Sequence, residues 1–328
     1  MDQSLTPDLV AVDIGGTHAR FALATLAADG RPTLREPLVL KTAEYASLGS
    51  AWRAFRETVS GPFPNAASVC FAGPVRGERI KATNSSWIIQ RSQLAADLGV
   101  DRAHLLNDFG AMAYAVAALK PQELELICGP DRSLSEDGVI TVIGPGTGLG
   151  VALLVRRGQR VTVIETEGGH IDFAPLDAFE SQIVNQLRER YLRVSTERVI
   201  SGPGLAALVE AIAAIEQRPF TPRDDATLWQ SALTGDDELT RTALDRFCLC
   251  YGAAAGDLAL AHGASAVVLV GGLSQRLAER LRDGNFFERF CAKGRYRDAM
   301  QQLPVKLARY DQLGLLGAAA AFAALESR

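Results

Sequence analysis

The sequence predicts an α/β protein with a mixed or parallel sheet, organised as two domains. Short apolar runs typical of buried strands alternate with longer segments of helical periodicity. A length of 328 residues suggests about two domains at roughly 150 residues each. A strand, a turn containing Gly and Thr, and a returning strand occur near Leu9 and again near Val139, which indicates that one structural plan is used twice.

The first of these cycles begins with a buried strand and a tight turn. Leu9–Val12 is an apolar run that ends in Asp13 and two glycines, and Arg20–Ala24 resumes as a second strand, so the segment predicts a hairpin. The elements expected after it are a helix at Tyr45–Val59, a strand at Ala67–Ala72, a helix at Ser92–Leu98, a strand at His104–Leu106 and a helix at Phe109–Leu119.

The second cycle repeats the strand, the glycine turn and the returning strand at Val139–Ile143, Gly144–Gly150 and Val151–Val155. A last helix, Leu315–Leu325, is apolar nearly all round and is therefore expected to be buried. The elements expected between them are helices at Phe179–Tyr191, Leu205–Ile215 and Leu244–Ala261 and a strand at Ala266–Val270.

The composition excludes several classes of protein. Hydrophobic residues make up 48% and charged residues 22%, which is typical of a folded chain rather than a disordered one. A net charge of −4 offers no basic excess for a nucleic-acid backbone. The N-terminal residues lack a signal-peptide pattern, and the uncharged stretch Gln312–Leu325 is too short to span a bilayer, so we expect a cytoplasmic protein. The five cysteines are scattered without a C-x-x-C pair, which favours reduced thiols.

The first glycine turn has the composition of a phosphate-binding turn. Gly15 and Gly16 follow a buried strand, and without side chains they let a phosphate approach the backbone N–H groups. Thr17 adds a hydroxyl donor, and Asp13 at the end of the strand is placed to hold Mg²⁺, directly or through water. The alternative is a plain hairpin in which Asp and Gly serve the turn alone.

Two further glycine segments also follow apolar strands. Gly144–Gly150 has glycine at every second position, which an ordinary hairpin does not need, and it matches neither a Walker loop nor a Rossmann fingerprint. Gly271 and Gly272 follow the strand at Ala266–Val270, where a base or ribose could lie against the main chain. Together the three glycine segments indicate nucleotide binding.

Several polar residues are candidates for chemistry on a hydroxyl group. Asp108 follows a strand and begins a helix, so it is either a helix cap, like Asn107 before it, or a carboxylate that accepts a proton from an attacking hydroxyl. Glu167 and His170 flank two glycines, a geometry suited to binding a polyol. No zinc-binding spacing, H-E-x-x-H or G-x-S-x-G motif occurs in the sequence. The combination of phosphate-binding turns, a carboxylate base and hydroxyl ligands is typical of a sugar kinase.

Glu197 and Asn84 are two further candidates. Glu197 precedes a glycine- and proline-containing segment, and its alternative role is that of a solvated surface acid. Asn84 lies close to Trp87 and is either a hydroxyl ligand or a turn residue. His170 likewise has the alternative of a packing or solvent-facing histidine.

In order along the chain, these motifs closely resemble the bacterial glucokinases. The resemblance covers nearly the whole chain, and Glu167–Pro175 with Glu197–Leu205 is specific to that group. The segments that carry it are Asp13–Thr17, Ala72–Val75, Thr83–Trp87, Leu106–Phe109, Gly144–Gly150, Glu167–Pro175, Glu197–Leu205, Gly271–Gly272 and Gly314–Gly317.

The resemblance implies a two-domain actin-like ATPase (ribonuclease-H-like) fold, in which a cleft separates a smaller from a larger α/β domain. Because the C-terminal helix of that family returns to the small domain, we expect a small domain of residues 1–109 plus 312–328 and a large domain of residues 110–311. The related repressor–kinase group carries a cysteine-rich zinc motif that has no counterpart after His170, so structural zinc is not expected.

The resemblance also implies ATP-dependent phosphorylation of D-glucose, with Mg²⁺ at Asp13 and Asp108 as general base on the 6-hydroxyl. A homodimer is implied, with neither a nucleic-acid nor a membrane partner. The implied sugar ligands are Asn84, Asn107, Asp108, Glu167, His170 and Glu197. The implied ATP-binding residues are Asp13, Gly15, Gly16, Thr17, Gly146, Thr147, Gly148, Gly271 and Gly272.

Three alternatives stay open on the sequence. Another hexose or amino-sugar kinase would share these motifs, because such substrates differ by single hydroxyl contacts. A sugar-sensing repressor of this fold is disfavoured, because the 12 residues before Asp13 leave no room for a helix-turn-helix. An actin- or chaperone-like ATPase would hydrolyse ATP without any sugar.

Overall fold

The computed structural model describes residues 6–28, 30–73, 75–81 and 87–326. The strands are β1 (Leu9–Ile14), β2 (His18–Leu26), β3 (Pro32–Leu34), β4 (Leu38–Lys41), β5 (Ala66–Phe71), β6 (Arg79–Lys81), β7 (Ile88–Gln90), β8 (Arg102–Asn107), β9 (Leu124–Cys128), β10 (Asp137–Pro145), β11 (Leu149–Arg157), β12 (Arg160–Thr166), β13 (Ala266–Leu269) and β14 (Val305–Ala308). The α-helices are α1 (Leu48–Thr58), α2 (Leu94–Leu98), α3 (Asp108–Ala118), α4 (Ala178–Tyr191), α5 (Thr196–Val199), α6 (Gly202–Ile215), α7 (Asp225–Thr234), α8 (Glu238–His262), α9 (Gly271–Arg276), α10 (Ala278–Arg282), α11 (Asn285–Cys291), α12 (Arg297–Gln301) and α13 (Leu313–Glu326).

The first sheet has the strand order β3-β2-β1-β5-β8, with β4 paired to β2 as well. β1 and β2 form the antiparallel hairpin expected from the sequence, whereas β1, β5 and β8 run parallel. Ile14 pairs with Phe71, and Phe71 pairs with Asn107, so these three strands end level with one another. The residues at the carboxyl ends of β1 and β8 therefore meet at one edge of this sheet.

The second sheet repeats this plan, with the order β12-β11-β10-β13-β14-β9. β10 and β11 form an antiparallel hairpin in which Gly144 pairs with Gly150, and β10, β13 and β14 run parallel. Ile143 pairs with Leu269, which brings the turn after β10 beside the start of α9. Mixed sheets with helices confirm the α/β prediction and the repeated strand–turn–strand plan.

The contacts divide the chain into two compact units. The first comprises the chain up to Lys120, Gln159–Glu165 and the segment from Tyr310 onwards, and the second comprises Pro121–Gly158 and Thr166–Arg309. The boundary expected at residues 109 and 110 falls inside α3, whereas the contacts keep the whole helix in the first unit because α13 packs along it. At the other end the division lies at residue 310 instead of 312.

The core of the first unit lies on both faces of its sheet. One face packs on α1 through Trp52 and Phe55, and the other packs on α3 and α13 through residues such as Leu315. Val161 and Val163 of β12 pack on this second face, which groups their segment with the first unit. α13 is buried along most of its length, as its all-round apolar sequence predicted.

The core of the second unit surrounds α8, whose length places Phe247 and Tyr251 among the other helices. α11 lies close against α8 because two glycines one turn apart leave room for its backbone. A Cβ at Gly252 would lie 2.2 Å from the carbonyl oxygen of Phe286, and a Cβ at Gly256 would lie 2.4 Å from that of Phe290. Neither approach is possible for a residue with a side chain.

A buried ion network joins α4, α8 and α11 within this core. Glu180 is 1% exposed, and its carboxylate accepts hydrogen bonds from Arg289 at 2.9 Å and from Arg246 at 3.1 Å. Arg246 also pairs with Asp177, the residue that caps α4, at 2.6 Å. Burial alone would raise the pKa of Glu180, but the two guanidinium groups outweigh it, and the pKa is lowered from its ordinary value of 4.5.

The elements expected from the sequence are confirmed, with bounds that differ by a few residues. The largest difference is at α8, which begins at Glu238, six residues before the expected start. All five cysteines are free and four of them are buried. In the part of the chain that the structure describes, no helix is long and apolar enough to cross a membrane.

Candidate active site

Asp13 lies one residue before the end of β1, in a partly buried position where three groups surround its carboxylate. Cys70 of the neighbouring strand donates its thiol to Oδ1 at 3.5 Å, and Arg20 lies 3.7 Å from Oδ2. A Cβ at Gly314 would lie 2.7 Å from Oδ2, so glycine there keeps space for the carboxylate. Burial is the largest influence and raises the pKa of Asp13, while Arg20 and Cys70 oppose it.

The turn after Asp13 is a tight hairpin turn. Its geometry is therefore also compatible with the alternative that Asp13 and the glycines serve the hairpin alone. The N–H of Gly15 donates to the carbonyl of His18 at 2.9 Å, and the Thr42 hydroxyl donates to the carbonyl of Gly16 at 3.2 Å. The Thr17 side chain is exposed, and its hydroxyl lies 3.0 Å from Nδ1 of His18. Thr42, which directly follows β4, thus holds the backbone of the turn in place, and the Thr17 side chain stays open to solvent.

Asn107 and Asp108 begin α3, where β8 ends. The Asn107 side chain caps this helix, because its oxygen accepts from the N–H groups of Phe109 and Gly110 at 2.9 and 3.2 Å. Its amide nitrogen donates to the carbonyl of Gly73 at 2.9 Å, so one of its two amide N–H groups is used within the described part of the chain. Asp108 accepts from the N–H of Phe109 at 2.9 Å and lies in the first turn, where the helix dipole favours its negative charge.

The carboxylates of Asp13 and Asp108 share one region at the edge of the first sheet. Burial is the main cause that raises the pKa of the Cys70 thiol, and the charges of both carboxylates raise it further. The thiol therefore stays protonated and remains a donor to Asp13. Asp13, the glycine turn and Asp108 are thus brought together in the first unit by the register of β1, β5 and β8.

In the second unit, the turn between β10 and β11 is held by its neighbours. The N–H of Gly146 donates to the carbonyl of Gly148, and the carbonyl of Gly146 accepts from the N–H of Gly202 at the start of α6, both at 2.7 Å. A Cβ at Gly144 would lie 2.2 Å from the carbonyl oxygen of Val270, whereas a Cβ at Gly146 would meet nothing within 4 Å. Gly144 is therefore required for packing, and Gly146 faces open space.

The other glycine segment begins α9 directly beside that turn. Gly271 has φ +87°, a conformation that favours glycine, and a Cβ on it would lie 3.6 Å from the carbonyl oxygen of Pro145. A Cβ at Gly272 would meet nothing within 4 Å. The two glycine segments that were expected to hold the nucleotide in this unit are thus neighbours.

Glu167, His170 and Glu197 come together in the second unit. His170 lies between the two carboxylates, with Nε2 at 3.9 Å from Glu167 and Nδ1 at 4.0 Å from Glu197. The side chains of Glu167 and His170 are about half exposed, at 51% and 56%, so they are accessible to a ligand. Gly169 between them is required by close packing, because a Cβ there would lie 2.0 Å from the carbonyl oxygen of Leu149.

Glu197 connects this group to the glycine turn. Its Oε2 accepts from the N–H of Leu149 at 2.9 Å, and a Cβ at Gly148 would lie 2.3 Å from the same oxygen. Its Oε1 is the oxygen that faces His170. One carboxylate therefore contacts both the expected phosphate turn and the expected sugar ligands.

The remaining sequence-derived candidates concern Asn84 and Mg²⁺. Asn84 lies outside the described residues. Among the residues that the structure describes, no group of three or more His, Cys, Asp or Glu could enclose a metal ion. Mg²⁺ in nucleotide sites commonly binds one or two carboxylates plus substrate phosphates, and the single carboxylate of Asp13 beside a glycine turn fits that mode.

Two residues of this region had no sequence signal. Cys70 looks like any buried strand residue, and Glu165 lies in an exposed strand segment without a motif. Their contacts arise from strand pairing and from distant segments, which periodicity does not reveal.

Solved structures share this fold and define the class as sugar kinases of the two-domain actin-like fold. A glucokinase from an Antarctic psychrotroph matches with a TM-score of 0.87 and 36% identity, covering 97% of this chain and 99% of that one. A glucokinase of the ROK family from Streptomyces griseus, solved with glucose and AMPPNP, matches in fold with a TM-score of 0.62 and 20% identity, covering 95% of this chain and 98% of that one.

The sequence comparisons are more specific. A family model described as Glucokinase matches residues 9–325. The glucokinase of Zymomonas mobilis subsp. mobilis is 55% identical over 316 residues, which cover 96% of this chain and 98% of the relative. The glucokinase of Stenotrophomonas maltophilia strain K279a is 41% identical, covering 98% and 96%. The chain belongs to the glucokinase family, as the motifs of the sequence indicated.

Proposed function

We propose that this glucokinase-family chain transfers the γ-phosphoryl group of ATP to the 6-hydroxyl of D-glucose with Asp108 as general base. The kinase activity follows from the family, and the proposal assigns its steps to residues. The observation that carries it is the position of Asp108 in the first turn of α3, at the sheet edge where Asp13 and its glycine turn also lie. A carboxylate held there by the helix start has a fixed position and a stabilised charge.

In the proposed step, the 6-hydroxyl oxygen attacks the γ-phosphorus as Asp108 accepts its proton. The new O–P bond forms while the bond from the γ-phosphorus to the bridging oxygen of ADP breaks, and ADP leaves. When bound, Mg²⁺ neutralises charge on the phosphates. Asp13 would hold it, directly or through water. Most of the rate enhancement would come from positioning, because phosphoryl transfer needs little covalent chemistry from the protein.

Glu167, His170 and Glu197 would bind the hydroxyls of the sugar. Their two carboxylates accept hydrogen bonds from hydroxyl groups, and the imidazole between them serves as donor or acceptor. Asn107 would add the second N–H of its side-chain amide, because the first donates to Gly73, and Asn84 is assigned to the sugar on its sequence motif alone. The nucleotide would lie on Gly15, Gly16, Thr17, Gly146, Thr147, Gly148, Gly271 and Gly272.

The variant Asp108→Asn tests the general base. It keeps the shape and the cap contact but removes the proton acceptor, so kcat should fall by roughly 10² or more while glucose affinity stays within a few-fold. The measurements are a coupled assay of ADP release and a calorimetric glucose titration. Asp225→Asn is the matched control, because Asp225 is also an acid in the first turn of a helix, α7. Near-normal turnover of Asp108→Asn would show that Asp108 is not the general base and has only a structural role.

The identity of the sugar is tested with a panel of substrates. We expect glucose to give the highest kcat/KM in a panel with fructose, mannose and N-acetylated amino sugars. ATP hydrolysis without any sugar would instead favour an actin- or chaperone-like ATPase.

We further propose a homodimer that acts in the cytoplasm, with neither nucleic acid nor a membrane as partner. Sedimentation of the purified chain tests its oligomeric state.

A further inference from the structure

We propose that Glu165 is a positioning residue that fixes the start of α3 and thereby the general base Asp108. The inference rests on the proposed role of Asp108. Glu165 lies in β12 and is distant from α3 in the sequence, yet both belong to the first unit. Its carboxylate reaches the main-chain N–H of Asn107, the residue directly before Asp108.

The contact is a main-chain hydrogen bond at the helix N-cap. Oε1 of Glu165 accepts from the N–H of Asn107 at 2.9 Å. Asn107 is the N-cap residue, and its own side chain already caps the N–H groups of Phe109 and Gly110. In a capping box, the side chain of the third helical residue bonds back to the N–H of the N-cap residue. Here the third residue is Gly110, which has no side chain, and Glu165 makes that bond from another strand.

Gly110 leaves room for this carboxylate because it has no side chain. A Cβ on Gly110 would lie 2.5 Å from Oε1 and 2.9 Å from Cγ of Glu165. A side chain at position 110 and the observed placement of Glu165 therefore exclude each other. The glycine lowers the helix propensity of the first turn, so its presence is explained by the space that Glu165 occupies.

This bond affects the general base because Asn107, whose N–H it binds, directly precedes Asp108 in the chain. The orientation of the first turn of α3 sets where the Asp108 carboxylate points. A small misplacement of a reacting group has a large effect on rate, whereas three of the proposed sugar ligands, Glu167, His170 and Glu197, do not belong to this helix start. Loss of the Glu165 bond should therefore lower kcat much more than it changes the KM for glucose.

Steady-state kinetics of four variants test the proposal. Glu165→Ala should lower kcat about tenfold with a change of less than about twofold in the KM for glucose. Glu165→Gln keeps an oxygen acceptor and should retain kcat within about threefold. Gly110→Ala should lower kcat as Glu165→Ala does, because its Cβ displaces the carboxylate, although alanine favours the helix. Glu189→Ala removes an exposed acid of α4 and should leave kcat unchanged.

A double variant separates positioning from a general effect on stability. In the Asp108→Asn background the base is already absent, so adding Glu165→Ala should lower kcat by less than about twofold. An unchanged kcat in Glu165→Ala, or an equal loss in Glu165→Gln, overturns the proposal. A full tenfold further loss in the double variant also overturns it. Near-normal turnover of Asp108→Asn alone would instead refute the general-base assignment.

Discussion

Glu197 is the residue at which the two binding roles proposed for the second unit meet. One carboxylate oxygen accepts from the backbone of Leu149 in the glycine turn, and the other faces His170 at 4.0 Å. Glu167 faces the same histidine, but it does not share this contact with the turn. The two acids should therefore differ in what their loss affects.

Alanine variants of these two acids test this difference. Glu167→Ala and His170→Ala should raise the Kd for glucose by about tenfold or more with the KM for ATP unchanged, because only hydroxyl contacts are lost. Glu197→Ala should raise both constants, because the turn also loses its support. Calorimetric glucose titration and ATP-dependent kinetics measure the two effects. A KM for ATP that is unchanged in Glu197→Ala would contradict the shared role.

The structure shows how the Asn107 side chain is held at the start of α3. The sequence placed a polar pair between a strand and a helix, and either a cap or a functional site accounts for that pattern. Asn107 is the cap, and its side chain makes three hydrogen bonds within the first unit. These bonds depend on Gly73 and on the exact start of α3, so the sequence alone could predict the polarity but not how it is used.

At the scale of single elements, the glycines of the segments that carry the family resemblance fall into two groups with different physical roles. Gly144, Gly169 and Gly317 lie so close to a carbonyl oxygen that a Cβ would clash, at 2.2, 2.0 and 1.8 Å. Gly146 and Gly272 face open space. The glycine pattern predicted that another group, from the protein or from a ligand, closely approaches the backbone at these positions. Only the structure distinguishes a neighbouring backbone from a bound ligand.

The pair Gly144→Ala and Gly146→Ala tests this division within one turn. Gly144→Ala should lower the free energy of unfolding by about 1–3 kcal/mol, because its Cβ meets the Val270 backbone. Gly146→Ala should leave the Tm almost unchanged but raise the KM for ATP, because its Cβ would enter the space proposed for phosphate. Thermal melts and steady-state kinetics measure both. A destabilised Gly146→Ala with normal ATP affinity would show that this glycine, too, serves packing.

At the scale of the whole molecule, the stability of the second unit depends on the buried network around Glu180. Because the pKa of Glu180 is lowered in the folded state, its contribution to stability is present above the ordinary value of 4.5 and is lost as the pH falls through the lowered pKa. Acid should therefore weaken the junction of α4, α8 and α11.

Glu180→Gln should reduce the free energy of unfolding at pH 7 by about 3 kcal/mol, because it leaves Arg289 without its buried partner. The difference from the unsubstituted chain should shrink as the pH falls below 4.5. Urea denaturation at a series of pH values measures it. Glu216→Gln removes an exposed pair with Arg218 and should change little at any pH. An effect of Glu180→Gln that is constant with pH would contradict the role of its charge.

Much of the fold could be predicted because its central elements have strong patterns. β1, β5, β10 and α13 are apolar runs bounded by glycine or polar residues, and all were expected close to their observed bounds. β12 and β9 were missed because they are partly exposed edge strands with mixed composition, and α9 to α12 were missed because each is shorter than two full turns. Sugar ligands could be predicted as residue types, whereas Glu165 depends on a long-range contact without a local signal.

The dependence of the first unit on α13 has a consequence for biosynthesis. Its core includes Leu315 and Phe322, so one face of the first sheet is covered only in part, by α3, until α13 has been made. Both segments of the second unit, Pro121–Gly158 and Thr166–Arg309, are synthesised before α13. The nascent chain should therefore be able to complete its second unit first and leave the first sheet in need of protection from aggregation until α13 emerges.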